Sequence, residues 1–231
     1  MKLFKYSLLL FVGIFFASPK VFADNLDNVP LATLKQRMNH GDKDAMIKYY
    51  EKRFTVDGEK PLSEVEEMAN RGDGVADAEL GIAYLHGGRG IPQDLTKASE
   101  WFQKGVEVGD NYSLVNLGLL YLDGKGVTQD VSKAIELLTK AANNGVPIAN
   151  LHLGLIYAFD KYGVQDYFKS NQWFEKAAKL GMPEAMLFLG MAYENGNGVV
   201  QDKAKAKEYY KQACSNKLQK GCSLYSELND Q

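Results

Sequence analysis

The feature that most constrains this chain is a spacing that repeats four times. Leu-Gly occurs at Leu80-Gly81, Leu117-Gly118, Leu153-Gly154 and Leu189-Gly190, each followed three residues on by a tyrosine: Tyr84, Tyr121, Tyr157 and Tyr193. Gln-Asp recurs at 93–94, 129–130, 165–166 and 201–202, and Lys97, Lys133, Lys169 and Lys205 keep the same step of 36. A register held over four copies means one supersecondary unit stacked on itself, because a single unit of this size cannot bury its own apolar face.

Each copy reads as two helices. The first carries Ala76, Ser113, Ala149 or Ala185, then Leu-Gly, then the tyrosine, an i, i+4, i+5, i+8 stripe of helical period. Glycines such as Gly124, Gly126, Gly196 and Gly198 follow, suited to a left-handed C-cap, and the aspartate of Gln-Asp offers an N-cap oxygen to the second helix. That helix carries Ala98, Ala134, Ser170 or Ala206 and a large pair, Trp101-Phe102, Leu137-Leu138, Trp173-Phe174 or Tyr209-Tyr210, and closes at Gly109, Gly145 and Gly181. A glycine inside a helix costs roughly 1 kcal/mol. Its recurrence in Leu-Gly therefore points to close approach of neighbouring helix backbones, with the aromatics filling the space alongside. No strand-like alternation competes. The expected fold is all-α, a right-handed α–α superhelix of about five helix-turn-helix repeats. The third copy departs from the rest: Asp160 and Tyr162 stand at its two glycine positions, amid Phe159, Tyr167 and Phe168.

The first 23 residues have a character of their own. Lys2 and Lys5 precede an apolar run from Tyr6 to Ala17, and the segment ends Val21-Phe22-Ala23. This is the pattern of a secretory signal peptide cleaved after Ala23. The alternative, a membrane anchor, fits poorly, since a dozen apolar residues span only ~18 Å as a helix against a hydrocarbon core of ~30 Å. Cleavage removes three lysines and leaves 24 basic against 29 acidic side chains, a net charge of −5. An exported acidic chain is a poor candidate for nucleic acid or an anionic membrane, and no transmembrane segment is expected after cleavage. The location expected is the periplasm, with secretion as the alternative.

The pattern Ala-x3-Leu-Gly-x2-Tyr-x2-Gly-x-Gly-Val-x-Gln-Asp-x2-Lys-Ala, closed by Lys-Ala-Ala-x2-Gly, resembles the Sel-1-like repeat, a relative of the tetratricopeptide repeat with a longer loop between its helices. Residues 111–146 and 183–213 fit best, and the resemblance covers roughly 73–231. The organisation it implies is a signal peptide at 1–23 and N-terminal helices with a degraded repeat at 24–72. Repeats then follow at 73–110, 111–146, 147–182 and 183–218, with a capping helix at 219–231. Within 24–72 the degraded copy shows Gly41-Asp42, Ala45 and Met68–Gly72, with Tyr50 in place of the usual glycine, and residues 31–39 add a leading helix.

Cys214 stands where the other copies have Val106, Ala142 and Ala178, and Cys222 is read at the alanine of the next first helix, matching Ala185. The Cys-x7-Cys pair resembles the disulfide that staples repeats in the Helicobacter cysteine-rich protein subgroup. The resemblance implies a Cys214–Cys222 staple worth roughly 2–3 kcal/mol by chain entropy. A redox-active pair is the other reading, but that role more often falls to Cys-x-x-Cys at a helix start.

Catalytic chemistry is thinly represented. Ser-x-x-Lys, Gly-x-Ser-x-Gly, His-Glu-x-x-His and Gly-Lys-Ser/Thr are all missing. His40, His86 and His152 occupy different repeat positions, so they read as solvated or packed side chains, and no catalytic residue, metal site or cofactor is assigned. Gly87-Gly88-Arg89-Gly90 looks like a phosphate loop but lacks a preceding strand, so it reads as a turn.

Binding is the stronger expectation. In the tetratricopeptide relative the first helices line a concave face. Carried over, those positions are Val75, Ala78, Ile82 and Leu85; Tyr112, Val115, Leu119 and Leu122; Ile148, Leu151 and Leu155; Leu187 and Met191. This surface is apolar with few charges and suits an amphipathic helix or an extended apolar peptide. The alternative is that tight coiling buries it within the array. Phe159, Tyr162, Tyr167 and Phe168 form a second candidate contact, the aromatic turn. The chain is accordingly expected to be a non-enzymatic adaptor for one or more envelope or secreted proteins, for example in assembling or regulating an envelope or secretion machine. Two alternatives stand beside it: a cell-wall or β-lactam-binding protein with weak β-lactamase-like activity, as attributed to some members of the cysteine-rich subgroup, and a secreted virulence or host-interaction factor.

Overall fold

The computed structural model describes residues 62–87 and 91–229, with positions 29, 30, 33 and 34 upstream. The signal peptide, the degraded copy before residue 62, His40, Tyr50 and Gly88-Arg89-Gly90 lie outside the described residues. Contacts divide the chain into units 1–53 and 54–231, and all ten helices described here belong to the second.

These are α1 (Leu62–Asn70), α2 (Gly74–His86), α3 (Leu95–Glu107), α4 (Asn111–Asp123), α5 (Val131–Asn143), α6 (Pro147–Ala158), α7 (Tyr167–Lys179), α8 (Pro183–Asn195), α9 (Lys203–Ser215) and α10 (Gln219–Asn229). Helices α2/α3, α4/α5, α6/α7 and α8/α9 pair as hairpins that stack on one another, while α1 packs on α2 and α10 on α9. The protein is an all-α, right-handed solenoid of about five helix-turn-helix units. Among the described residues no helix is long and apolar enough to cross a membrane.

The repeat letters translate directly into backbone chemistry. Asp94, Asp130, Asp166 and Asp202 each adopt extended backbone and accept the amide hydrogen of Lys97, Lys133, Lys169 or Lys205 at 2.9–3.0 Å, the bond of an N-cap. Three of those lysines place their ammonium 5.0–5.5 Å from the ring centre of the repeat tyrosine, Lys97 on Tyr84, Lys169 on Tyr157 and Lys205 on Tyr193. The first helices α2 and α4 are capped by Asp73 and Asp110, whereas α6 and α8 begin with Pro147 and Pro183 at a position that lacks a hydrogen-bonding partner for its N–H in any helix.

Of each large pair, the second member is the core residue: Phe102, Leu138, Phe174 and Tyr210 are at most 2% exposed. The structure refines the expected role of the helical glycines. A Cβ added at Gly81, Gly154 or Gly190 would lie 2.4–2.5 Å from the ring of Phe102, Phe174 or Tyr210, so the ring itself occupies the space, rather than a neighbouring backbone. In the second copy the smaller Leu138 leaves 3.1 Å at Gly118. Each such buried side chain contributes about 1.5–3 kcal/mol of apolar transfer. Of the first members, Trp101, Trp173 and Tyr209 are half-buried, Trp101 and Trp173 with the ammonium groups of Lys104 and Lys176 at 3.6 and 3.7 Å from the ring centre, whereas Leu137 is itself buried.

The register corrects one sequence assignment. A step of 36 from Ala185 reaches Gly221, not Cys222, and Gly221 is the buried residue of α10, at a contact so close that a Cβ there would meet the Ala213 Cβ at 2.7 Å. Cys222 takes the place of Met186 one residue later. It is bonded to Cys214, with Cα atoms 4.5 Å apart.

Candidate partner-binding face

Four positions spaced i, i+3, i+7 and i+10 run along each first helix and fall on one stripe. In α2 they are Val75, Ala78, Ile82 and Leu85; in α4, Tyr112, Val115, Leu119 and Leu122; in α6, Ile148, Leu151, Leu155 and Ala158; in α8, Glu184, Leu187, Met191 and Glu194. The stripe is neither fully open nor fully closed. Val75, Ala78, Val115, Leu122, Leu151 and Leu155 are at most 9% exposed, and Leu151 and Leu155 pack in one cluster with Phe174, Ala177, Ala185 and Leu189. Ile82, Leu85, Tyr112, Leu119, Ile148, Leu187 and Met191 are half-buried and reachable. The second position is buried in α2, α4 and α6 but half-buried in α8, while the third stays accessible in α2, α4 and α8.

Charge sharpens the picture. Helices α2, α4, α6 and α8 contain no lysine or arginine, and their acids are Asp77, Glu79, Asp123, Glu184 and Glu194. Glu184 and Glu194 replace apolar residues at the two ends of the α8 stripe, and the sequence signal for them is the step of 36 from Ile148 and Ala158. Tyr210 donates its hydroxyl to Glu194 at 2.6 Å, and burial together with this carboxylate raises the phenol. Burial, aided by the charge of Asp110, likewise pushes Tyr112 up to about 12. Asp77 is 2% exposed, and burial pushes its carboxyl up to about 6 against the opposing charge of Lys104.

The residues of the aromatic turn have separate surroundings. Phe159 packs against the Leu151–Leu189 cluster. Residues Asp160–Tyr162 form a 3₁₀ turn, after which Gly163 takes φ +70°. Tyr162 donates its hydroxyl to Asp123 at 2.8 Å, and the Lys161 ammonium lies 2.9 Å from the same carboxylate oxygen and 2.7 Å from the Tyr162 hydroxyl. Burial would raise the Asp123 carboxyl, but the hydrogen bonds from Lys161 and Tyr162 outweigh it and hold the group below the usual carboxylate value. The Tyr167 hydroxyl accepts from Gln165 at 3.2 Å. Phe168 faces solvent at 63% exposure, as does Val200 in the next turn at 87%.

His86 is exposed at the end of α2, and His152 is buried in α6, where burial pushes it down to about 4 and keeps it neutral. Among the described residues no group of three or more His, Cys, Asp or Glu side chains is placed to hold a metal ion.

The Sel1 repeat family profile matches residues 74–110, 111–146, 147–182 and 183–218. A protective antigen of uropathogenic Escherichia coli with an SLR fold is 35% identical, with a TM-score of 0.65 over 70% of this chain and 34% of its own. A Sel1 repeat protein from Oxalobacter formigenes is 25% identical, with a TM-score of 0.63 over 86% of this chain and 74% of its own. The chain is also 38% identical over 60 residues to HRD3A of Arabidopsis thaliana, a component of an ERAD-associated E3 ubiquitin-protein ligase, covering 26% of this chain and 9% of that protein. The chain thus spans about a third of the E. coli antigen and under a tenth of HRD3A. The Sel1-repeat fold is known as a protein–protein interaction scaffold. With four consecutive matches over more than half its length, the chain belongs to the Sel1 repeat family.

Proposed function

We propose that this protein is an exported adaptor of the bacterial cell envelope that captures an apolar helix or extended segment of a partner protein along the first-helix stripe. The observation that carries the reading is the accessible apolar row on helices free of lysine and arginine, with Leu119 and Met191 at its reachable third position. Such a surface gains by burial against an apolar partner and lacks the cations that clamp a carboxylate. The signal-like segment before Ala23 supports a periplasmic location. The proposal takes residues 24–72 as helices with a degraded repeat and 219–231 as a capping helix, and links the Cys214–Cys222 pair to the cysteine-rich subgroup by its spacing.

Leu119→Asp and Met191→Asp test it. Capture of envelope proteins by the purified chain is expected to fall at least about tenfold while the melting temperature moves by only a few degrees, as for half-exposed positions outside the core. Unchanged capture by both variants would overturn the stripe as the binding surface. A second reading, a secreted host-interaction factor, draws on the likeness to the uropathogenic E. coli protective antigen. The division of mature protein between periplasm and medium distinguishes the two.

A further inference from the structure

Five turns in the array join one unit to the next, and four are built on glycine. Gly72, Gly109, Gly145 and Gly181 take φ between +81° and +84°, and at the fifth turn Lys217 takes φ +66°, the one non-glycine with positive φ among the described residues. The hydrogen bonding is the same throughout. At Gly181 the amide donates to Ala178 O at 2.8 Å and the next amide, Met182, to Ala177 O at 3.0 Å; at Lys217 the amide donates to Cys214 O at 2.8 Å and Leu218 to Ala213 O at 3.0 Å. This is the Schellman closure of a helix, whose left-handed residue is normally glycine because a Cβ is disfavoured there.

The cysteines bracket that seat. Cys214 supplies the carbonyl that accepts the Lys217 amide, and the Cys222 amide donates to Leu218 O at 3.3 Å in the first turn of α10. Glycine is not absent from this unit but moved: Gly221 stands at the helix contact where the other copies have Ala76, Ser113, Ala149 and Ala185, letting α10 approach Ala213 closely enough for the bond. Gly221 is also the one buried residue of α10, whose other link to α9 includes the Lys207 ammonium 5.8 Å from the Tyr225 ring centre.

We propose that Cys214–Cys222 and Lys217 form a redox latch on the C-terminal helix: the disulfide holds the left-handed turn that glycine holds elsewhere, and its reduction frees α10 from α9. A dithiol reductant opens the latch. One of its thiolates attacks a protein sulfur to give a mixed disulfide, and its second thiol displaces the remaining bond. The reductant leaves as a disulfide, and Cys214 and Cys222 are left as two thiols. Lys217 then returns to the ordinary backbone regions, the two closing hydrogen bonds are lost, and the end of α9 is uncovered. The cap is closed in oxidising surroundings and open in reducing ones.

Hydrogen–deuterium exchange on the full chain tests the latch, comparing oxidised protein with protein in dithiothreitol. In the wild type, reduction is expected to speed exchange in residues 219–229 about tenfold or more, leaving α4 to α8 unchanged. The double variant Cys214→Ser/Cys222→Ser should match the reduced protein without any reductant. Lys217→Gly, which restores the turn residue of the other units, should cut the response to reduction to about threefold or less. The latch is overturned if α10 keeps its protection on reduction, if the whole array loses protection together, or if Lys217→Gly responds as strongly as wild type.

Discussion

Between α4 and α5, Gly124 and Gly126 take φ +66° and +72°, and between α8 and α9, Gly196 and Gly198 take +72° and +70°. Between α6 and α7 the same two positions hold Asp160 and Tyr162 in a 3₁₀ turn, and the left-handed residue comes one place later, at Gly163. The glycine turns lie directly on the preceding unit. A Cβ at Gly126 would be 2.1 Å from Leu95 O, and one at Gly198 2.6 Å from the backbone of Tyr167, at the first turn of the previous second helix. Asn171 donates its amide to Asn197 O at 2.7 Å across the later junction. Tyr162 cannot enter so narrow a space, and around Gly163 nothing lies within 4 Å of a Cβ. The third unit is tied instead by side chains, Lys161 and Tyr162 reaching back to Asp123 at the end of α4. At the register of Ser99 and Asn171 the intervening helix carries apolar Ile135, in step with the change of turn. Stacked units can thus be joined by backbone contact or by a charged side-chain clamp, and the first demands glycine twice over.

The sharpest way to break this contrast is Gly126→Ala. The substitution meets both a left-handed backbone and a carbonyl that cannot move aside, so the expected loss is about 3 kcal/mol in urea unfolding. A loss below about 1 kcal/mol would show that the turn lifts freely off α3. Gly163→Ala separates the two causes. It shares the positive φ but meets open space, so it should cost only about 1 kcal/mol. If the two substitutions cost the same, the backbone contact contributes nothing.

Much of the fold was legible because the physics behind it is local. The Gln-Asp caps and the left-handed glycines each involve residues close in sequence, and repetition multiplied a weak signal fourfold. Which member of Trp101-Phe102 or Tyr209-Tyr210 enters the core was not legible, since either fits the helical period within one residue and only the glycine opposite decides. The stripe was half-legible. Its apolar character shows in Leu119 and Met191 as plainly as in Leu151, but exposure depends on how closely successive units approach, a distance no single repeat contains. The role of Asp123 is hidden for a related reason: beyond its local ion pair with Lys125 at 3.3 Å, the partners that make it a junction, Lys161 and Tyr162, lie 38 and 39 residues away. The displacement of glycine from 160 and 162 to 163 was the available clue. Lys217 left an equally plain one, standing 36 residues after Gly181.

The clamp at Asp123 gives the smallest expected effect and the most specific one. Its carboxylate is 28% exposed and Lys161 is 47% exposed, so solvent screens the pair, and Asp123→Asn should cost only about 0.5 kcal/mol at pH 7. The sign of its pH dependence follows from the lowered carboxyl. A carboxyl held below its ordinary value of 3.8 stabilises the folded chain fully at pH above that value. The contribution fades as pH falls through the folded value, where the carboxylate gains its proton and the tie to Lys161 loses its charge. Wild type and Asp123→Asn should therefore differ at neutral pH and converge in acid, most visibly in amide exchange across 159–163. The turn at Gly196–Gly198 rests on glycine packing and the Asn171 amide, neither of which titrates in that range, so its own exchange should not follow the Asp123 titration. If both turns loosen together in acid, the side-chain clamp is not what joins the third unit to the second, and the contrast between the two kinds of junction fails.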